Sequence, residues 1–244
     1  MSLRVNLNNI AIVLHRPGSP ENIGAAARAA CNMGISQLIV VAPRNCDLTR
    51  ILKMATHFAA DLVEEMEVFD DLETALAPFQ YVVGTTARVG RRRPTIPDPR
   101  KLAEKLIPIS QQNRIALVFG PENWGLTNAE LRLCHVVVTI PTAEFASLNL
   151  AQAVMILCYE VFLASREDTQ SFTSRLATHH ELEAMYEQLK ETFVNISFIN
   201  PENSDYWMQR VRRFFSRVDM QARDVRMIRG ICRQIEWYGS RKEK

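Results

Sequence analysis

Short runs of unbroken apolar residues alternate with helical periodicity through the first two-thirds of the chain. Only helical periodicity follows. The runs within Asn8–His15 (NNIAIVLH), Gln37–Ala42 (QLIVVA), Gln80–Gly84 (QYVVG), Ile115–Phe119 (IALVF) and Val136–Ile140 (VVVTI) read as strands. Asn22–Met33 is Ala-rich and reads as a helix, with Asn22 as N-cap and Gly34 at the C-cap. Residues 50–77 mix an amphipathic helical pattern with the short run Glu67–Phe69. Thr85–Pro99 reads as a polar loop, and Leu148–Arg166 as a strong helix capped by Ser147. Strands alternating with helices predict an α/β domain with a largely parallel sheet. Continuous Val, Ile and Leu in the strands suits a sheet covered on both faces. This domain spans 1–166. The polar stretch 167–178 reads as a linker. Helical patterns over 179–196, 204–217 and 220–238 predict a small all-α C-terminal domain, 179–244.

Composition narrows the class. The 244 residues are 47% hydrophobic and 23% charged, which excludes a disordered chain. The longest nearly apolar stretch, Ala151–Ala164, contains Gln152 and Glu160 and is too short to span a bilayer, so no membrane partner is expected. The N-terminus carries no secretory apolar run, and five cysteines cannot all pair, which together predict a cytoplasmic protein. No Cys-x-x-Cys and no His pair at helical spacing occurs, so no metal is expected.

Charge is unevenly placed. Residues 205–244 hold 11 Lys and Arg against 5 Asp and Glu, whereas the preceding residues hold 18 against 22. A basic C-terminal region suits a polyanion, nucleic acid or membrane surface, and equally a solvated arginine-rich helix face.

Two nucleotide-binding signatures and one hydrolase signature fail. No Gly-x-Gly occurs, which removes the dinucleotide fingerprint. Gly120 and Gly125 have Walker-A spacing, but Leu126 stands where the phosphate-binding lysine belongs. No Gly-x-Ser-x-Gly elbow is present.

Three other segments follow strands, at the edge where open α/β sheets place ligands. The first is Pro20–Arg28 (PENIGAAAR). Its alanines permit close packing, and Arg28 is as readily a surface arginine as a forked donor to phosphate or carboxylate. The second is Phe119–Thr127 (FGPENWGLT), with Glu122 between two glycines; Thr127 and Glu130 have capping-box spacing. The third is Ile140–Leu150 (IPTAEFASLNL), where Asn149 falls near a helix's first turn.

Together and in this order, the three segments resemble the SPOUT superfamily of RNA methyltransferases, in its TrmH-like 2′-O-ribose branch. The carrying residues are Asn22, Gly24 and Arg28, then Phe119, Gly120, Glu122, Gly125 and Leu126, then Ser147, Leu148 and Asn149. The resemblance covers about residues 8–165. With Val82–Ala87 (VVGTTA) and the basic extension, the chain is most similar to the branch that methylates the first nucleotide of the tRNA anticodon loop. The resemblance implies a C-terminal trefoil knot, a homodimer, and S-adenosylmethionine as cofactor. It implies cofactor contacts at Thr85, Thr86, Ala87, Gly120, Ile140, Ala146, Ser147 and Leu148. It gives Arg28 the central role at the substrate ribose, with Asn22, Glu122, Ser147 and Asn149 orienting it. tRNA phosphates would be gripped by Arg91, Arg92 and Arg93 and by Arg210, Arg212, Arg213 and Arg217. Aromatic Trp207, Phe214, Phe215 and Trp237 among these arginines suit either base stacking or, more simply, core packing of small helices. Two other functions fit the same residues: methylation of ribosomal RNA or another tRNA site, and non-catalytic RNA binding.

Overall fold

The computed structural model describes residues 3–87, 95–143, 148–166 and 175–242. The chain forms two compact units, residues 1–174 and 175–244.

The first unit is built on a seven-stranded, wholly parallel sheet. Its strands are β1 (Ile10–His15), β2 (Leu38–Val41), β3 (Glu67–Phe69), β4 (Tyr81–Thr85), β5 (Thr95–Ile96), β6 (Ile115–Phe119) and β7 (Val136–Val138). Their spatial order is β3-β2-β1-β6-β4-β7-β5. The register sets Ile10 beside Ile115 and Gly84 beside Val118 and Val137. Residues of β1, β2, β4, β6 and β7 are buried almost throughout, as their unbroken apolar runs require. One face holds Ala11, Val13, Ile39, Val41, Val82, Ala116 and Val118 against Leu72, Leu76 and Phe79 of the segment around helix α4 (Leu72–Leu76). The alternate residues Ile10, Ile12 and Leu14 point the other way and are equally inaccessible.

Helix α1 (Pro20–Asn32) packs on α2 (Leu48–Ala55) and on α6 (Leu150–Ala164). Helix α5 (Pro99–Ile109) also packs on α6, and α3 (Ala60–Glu64) packs on α2. The α1–α2 contact depends on Gly24. A Cβ there would stand 2.1 Å from the Ile51 carbonyl oxygen and 2.9 Å from Met54 Cβ.

Three local expectations change. Ser19, not Asn22, caps α1: its Oγ accepts the Asn22 N–H at 3.3 Å, and Pro20 opens the helix. Asn149, not Ser147, caps α6, completing a capping box with Gln152. Residues 85–99 are not all loop, because Thr95–Ile96 pair in parallel with β7.

The second unit consists of α7 (His179–Asn195), α8 (Ser204–Phe215) and α9 (Ala222–Lys242). Thr178 and Glu181 form a reciprocal cap on α7. Its core gathers Leu182, Met185, Tyr186, Leu189, Ile199, Met208, Val225 and Cys232. Residues 175–177 lie against 220–222, through Ala177 N–H to the Met220 carbonyl and Ala222 N–H to the Arg175 carbonyl.

Candidate active site at the carboxyl edge of the sheet

The chain leaves β1 toward β2 on one side, and leaves β6 toward β7 on the other. Their loops therefore part over a crevice, the place where open α/β sheets bind ligands. Two of the three sequence segments meet there, and the third reaches them. Gly18 N–H donates to both Glu122 carboxylate oxygens, at 2.9 and 3.2 Å. Asn22 Nδ2 donates to Glu122 Oε1 at 2.5 Å, and Asn149 Nδ2 donates to Asn22 Oδ1 at 3.0 Å. Because Ser19 takes the capping duty, the Asn22 side chain is free for this bridge. A loop carboxylate after β6 thus holds the start of α1, a hundred positions earlier, and through Asn22 the start of α6.

Gly120 allows the β6 loop to fold back on itself. A Cβ there would lie 2.4 Å from the Gly125 carbon and the Leu126 nitrogen, so the loop closes backbone on backbone.

Arg28 is exposed and makes no hydrogen bond or ion pair among the described residues. It sits six residues beyond Asn22 on α1, about 9 Å along the axis. Asn22, Glu122 and Asn149 bond in series to one another, and none of these three hydrogen-bonds to Arg28. The guanidinium instead stands as an unpaired fork toward solvent.

The expected cofactor contacts divide into two groups. Thr85, Gly120 and Ile140 lie at or just past the carboxyl ends of three adjacent strands, β4, β6 and β7, with Thr86 and Ala87 following Thr85. The Thr85 hydroxyl donates to the Val118 carbonyl at 3.0 Å, and Thr86 N–H donates to the Val138 carbonyl at 3.1 Å. Leu148 precedes the α6 cap. Ala146 and Ser147, like Arg91, Arg92 and Arg93, lie outside the described residues.

One contact had no sequence signal. His15, at the end of β1, is 4% exposed, and its Nε2 lies 2.9 Å from Glu130 Oε1 across 115 residues of chain. Glu130 also accepts the Thr127 N–H at 2.7 Å, the second half of the expected capping box. Burial holds the His15 pKa below the ordinary imidazole value, partly offset by the Glu130 hydrogen bond and charge. Arg16 lowers it further and Asp71 opposes. Nδ1 is buried without a partner, which suits a neutral ring carrying its proton on Nε2. Burial also acts to raise the Glu130 pKa, but the Thr127 N–H and His15 outweigh it, so the carboxyl stays below its usual range.

A pH effect follows. His15 takes up a proton more readily unfolded than folded, so its contribution is full above about pH 6.5 and falls as pH drops toward its lowered folded value. Denaturant titrations from pH 7.5 to 5.5 should show falling stability, with a slope of at most about 1.4 kcal/mol per pH unit for one proton. His15→Gln should flatten that slope. Glu130, held below the usual carboxylate range, acts only at lower pH.

In the second unit the arginines separate by environment. Arg212 is committed to the fold, with a two-pronged pair to Glu183 and a stack 4.4 Å from the Tyr186 ring centre. Arg210, Arg213 and Arg217 are exposed. Core packing fails as the account of three of the four aromatics: Trp207, Phe214 and Trp237 are 39%, 65% and 47% exposed. Arg210 lies over Tyr206 and Trp207, and Arg241 lies 4.1 Å from the Trp237 ring centre. Phe215 is half-buried against the core.

A wholly parallel sheet whose carboxyl edge joins Asn22 at the start of α1, Glu122 after β6 and the Asn149 cap of α6 defines an α/β domain of enzyme type with its candidate site at that edge. The chain belongs to the SpoU rRNA Methylase family, whose description matches residues 9–159. Residues 180–244 match the C-terminal domain of the tRNA methyltransferase TrmJ. A tRNA (cytidine/uridine/adenosine-2′-O-)-methyltransferase TrmJ from Pseudomonas aeruginosa is 38% identical, over 94% of this chain and 95% of that protein. A tRNA (cytidine/uridine-2′-O-)-methyltransferase TrmJ from Klebsiella pneumoniae is 35% identical, over 94% of this chain and 97% of that one. The crystal structure of TrmJ from Z. mobilis ZM4 superposes with a TM-score of 0.77 at 30% identity, covering 93% of this chain and 98% of that chain.

Among the described residues, no helix is long and apolar enough to cross a membrane. No group of three or more His, Cys, Asp or Glu among them could hold a metal ion.

Proposed function

We propose that the chain transfers a methyl group from S-adenosylmethionine to a ribose 2′-hydroxyl of tRNA, at the first nucleotide of the anticodon loop. The observation that carries this reading is the tie of Gly18, Asn22, Glu122 and Asn149 at the crevice, on a chain alike to TrmJ enzymes nearly end to end.

The residues present fit a cofactor gripped mainly by main chain. The three neighbouring strand ends offer backbone groups, Gly120 and Ala87 offer no polar side chain, and the Thr85 hydroxyl is already turned onto the sheet. Thr85, Thr86, Ala87, Gly120, Ile140, Ala146, Ser147 and Leu148 would hold it, within the knotted turn this family reading implies. When bound, the cofactor supplies an activated methyl on a sulfonium.

The protein must then place the 2′-oxygen in line and manage the charge that develops as its proton leaves. A guanidinium in a protein carries donors only, so Arg28 acts as a clamp on the developing alkoxide or the adjoining phosphate rather than as a base. Asn22, Glu122 and Asn149 fix the loops around it, with Ser147 beside them in sequence.

tRNA phosphates would meet Arg210, Arg213 and Arg217, with Arg91, Arg92 and Arg93 adding to that grip. Such contacts supply salt-sensitive affinity. Reversing Arg210, Arg213 and Arg217 to Glu together is expected to weaken tRNA binding at least tenfold at physiological salt, with cofactor affinity unchanged. A filter-binding titration over a salt series reads both the loss and the shallower salt slope.

The working form would be a cytoplasmic homodimer joined partly through α6, where Tyr159 is 47% exposed and Met155 and Phe162 are half-buried. Incubation with labelled S-adenosylmethionine and total RNA, then separation of tRNA from ribosomal RNA and mass spectrometry of nuclease fragments, tests the function. A 2′-O-methylated nucleoside in the anticodon loop supports it, whereas label only in ribosomal RNA, or in no RNA, overturns it.

A further inference from the structure

An aromatic ring stands uncovered at the same sheet edge and takes no part in the hydrogen-bonded tie. Trp124 lies two residues after Glu122 and is 47% exposed. The loop holds it outward: Gly125 N–H donates to the Pro121 carbonyl at 2.8 Å, closing a turn around residues 122–124. The Arg44 guanidinium, from the segment after β2, lies 5.7 Å from the indole centre. Arg44 N–H in turn donates to the Pro17 carbonyl at 3.4 Å. The loops after β1, β2 and β6 are therefore joined side by side, through Pro17–Arg44, Arg44–Trp124 and Gly18–Glu122.

The Glu122 carboxylate is taken up by Gly18 and Asn22, which leaves Arg44 as the charge beside the indole. Arg44 has no acidic partner among the described residues. Arg16, the residue after β1, is exposed and reaches Glu130 only at 3.9 Å. An indole face flanked by a guanidinium is a surface that takes a flat, electron-rich ring carrying negative charge nearby. That is the chemistry of an unpaired nucleotide.

We propose that Trp124 and Arg44 form a stacking platform for an unpaired RNA base next to the ribose being methylated, with Arg44 taking the adjoining phosphate. The proposal rests on the RNA-methylation reading and names a substrate contact within it. Glu122 and Trp124 can be at most about 7 Å apart along the chain, so a base on the indole stays within one nucleotide of the tied loops.

The test compares full-length wild type, Trp124→Ala, Trp124→Phe and Arg44→Ala in steady-state methyl transfer to total tRNA. Cofactor affinity is read by calorimetry, and mass by light scattering. Trp124→Ala is expected to raise the KM for tRNA about 10- to 100-fold, the range for loss of one stacked base. Cofactor affinity and mass stay unchanged. Trp124→Phe keeps most of the affinity because a phenyl ring still stacks, and Arg44→Ala flattens the salt dependence. Independently, a short unpaired oligoribonucleotide should quench indole fluorescence in wild type, and more than in Trp124→Phe.

An unchanged KM in Trp124→Ala, or equal quenching in wild type and Trp124→Phe, overturns the platform. A change of mass assigns Trp124 instead to a contact between copies of the chain, which also overturns it. If wild type methylates no RNA yet the Trp124-dependent quench persists, the methylation reading fails and the platform stands.

Discussion

Arg28→Ala is expected to lower methyl transfer by about 10²- to 10³-fold in kcat while leaving S-adenosylmethionine affinity within about twofold. The magnitude is that of removing one well-placed donor from a developing oxyanion. Selectivity for kcat follows from the position of Arg28. It is exposed, is bonded to none of Asn22, Glu122 or Asn149, and lies on α1 rather than at the ends of β4, β6 and β7. Its loss therefore leaves the loops that would hold the cofactor intact. Arg28→Lys is the sharper comparison. A lysine keeps the charge but not the planar fork, so only a trace of activity should return. Substantial activity in Arg28→Lys would reduce the role to a point charge, and full activity in Arg28→Ala would remove it. Single-turnover kinetics with saturating tRNA, beside calorimetry with the cofactor, separate these outcomes.

Gly24→Ala is expected to destabilise the first unit by about 3 kcal/mol, at the upper end of what an added methyl costs in a packed core. The neighbour is the Ile51 carbonyl of α2, 2.1 Å from the added carbon, and a backbone group cannot rotate aside as a side chain can. Helices α1 and α2 would have to part. Since α1 carries both Asn22 and Arg28, the displacement should also cost activity at temperatures where the protein remains folded. For a unit of this size the melting temperature should fall by about 6–12 °C. Gly239→Ala supplies the contrast. A Cβ there meets nothing within 4 Å, and Gly239 lies inside α9, so helix propensity predicts a gain of about 0.5–1 kcal/mol. Calorimetric melting of both variants checks the pair, and equal small effects would refute the α1–α2 clash.

Much of this architecture was legible in the sequence, for a physical reason. Strands buried on both faces must be apolar throughout, so β1, β2, β4, β6 and β7 announce themselves as runs. The two-residue β5 does not, because only its pairing with β7 makes it a strand. Helix α5 had its own signal, Asp98 as cap and Pro99 at the first position, inside a segment dominated by the preceding polar loop. The caps show where local reading fails. Ser19 and Asn22 are chemically interchangeable as caps, and only tertiary contacts decide which one turns sideways, whereas Asn149 caps α6 with its oxygen and reaches Asn22 with its nitrogen. The order of Asn22, Glu122 and Asn149 in the motifs pointed to a shared place, but not to who bonds whom. His15 with Glu130 left no trace, because a histidine closing an apolar run looks the same paired or not. The exposed Trp207 and Trp237 reversed the packing expectation, since composition cannot tell an aromatic core from an aromatic surface.

The bridge from Asn149 through Asn22 to Glu122 has a direction. One amide nitrogen gives at each step, and the series ends on a carboxylate. Asn22 must accept with its oxygen and donate with its nitrogen at once, which an aspartate of identical shape cannot do. Hydrolytic loss of that single side-chain nitrogen, a common form of chemical ageing, would set two carboxylates face to face and turn the fastening of three loops into a repulsion.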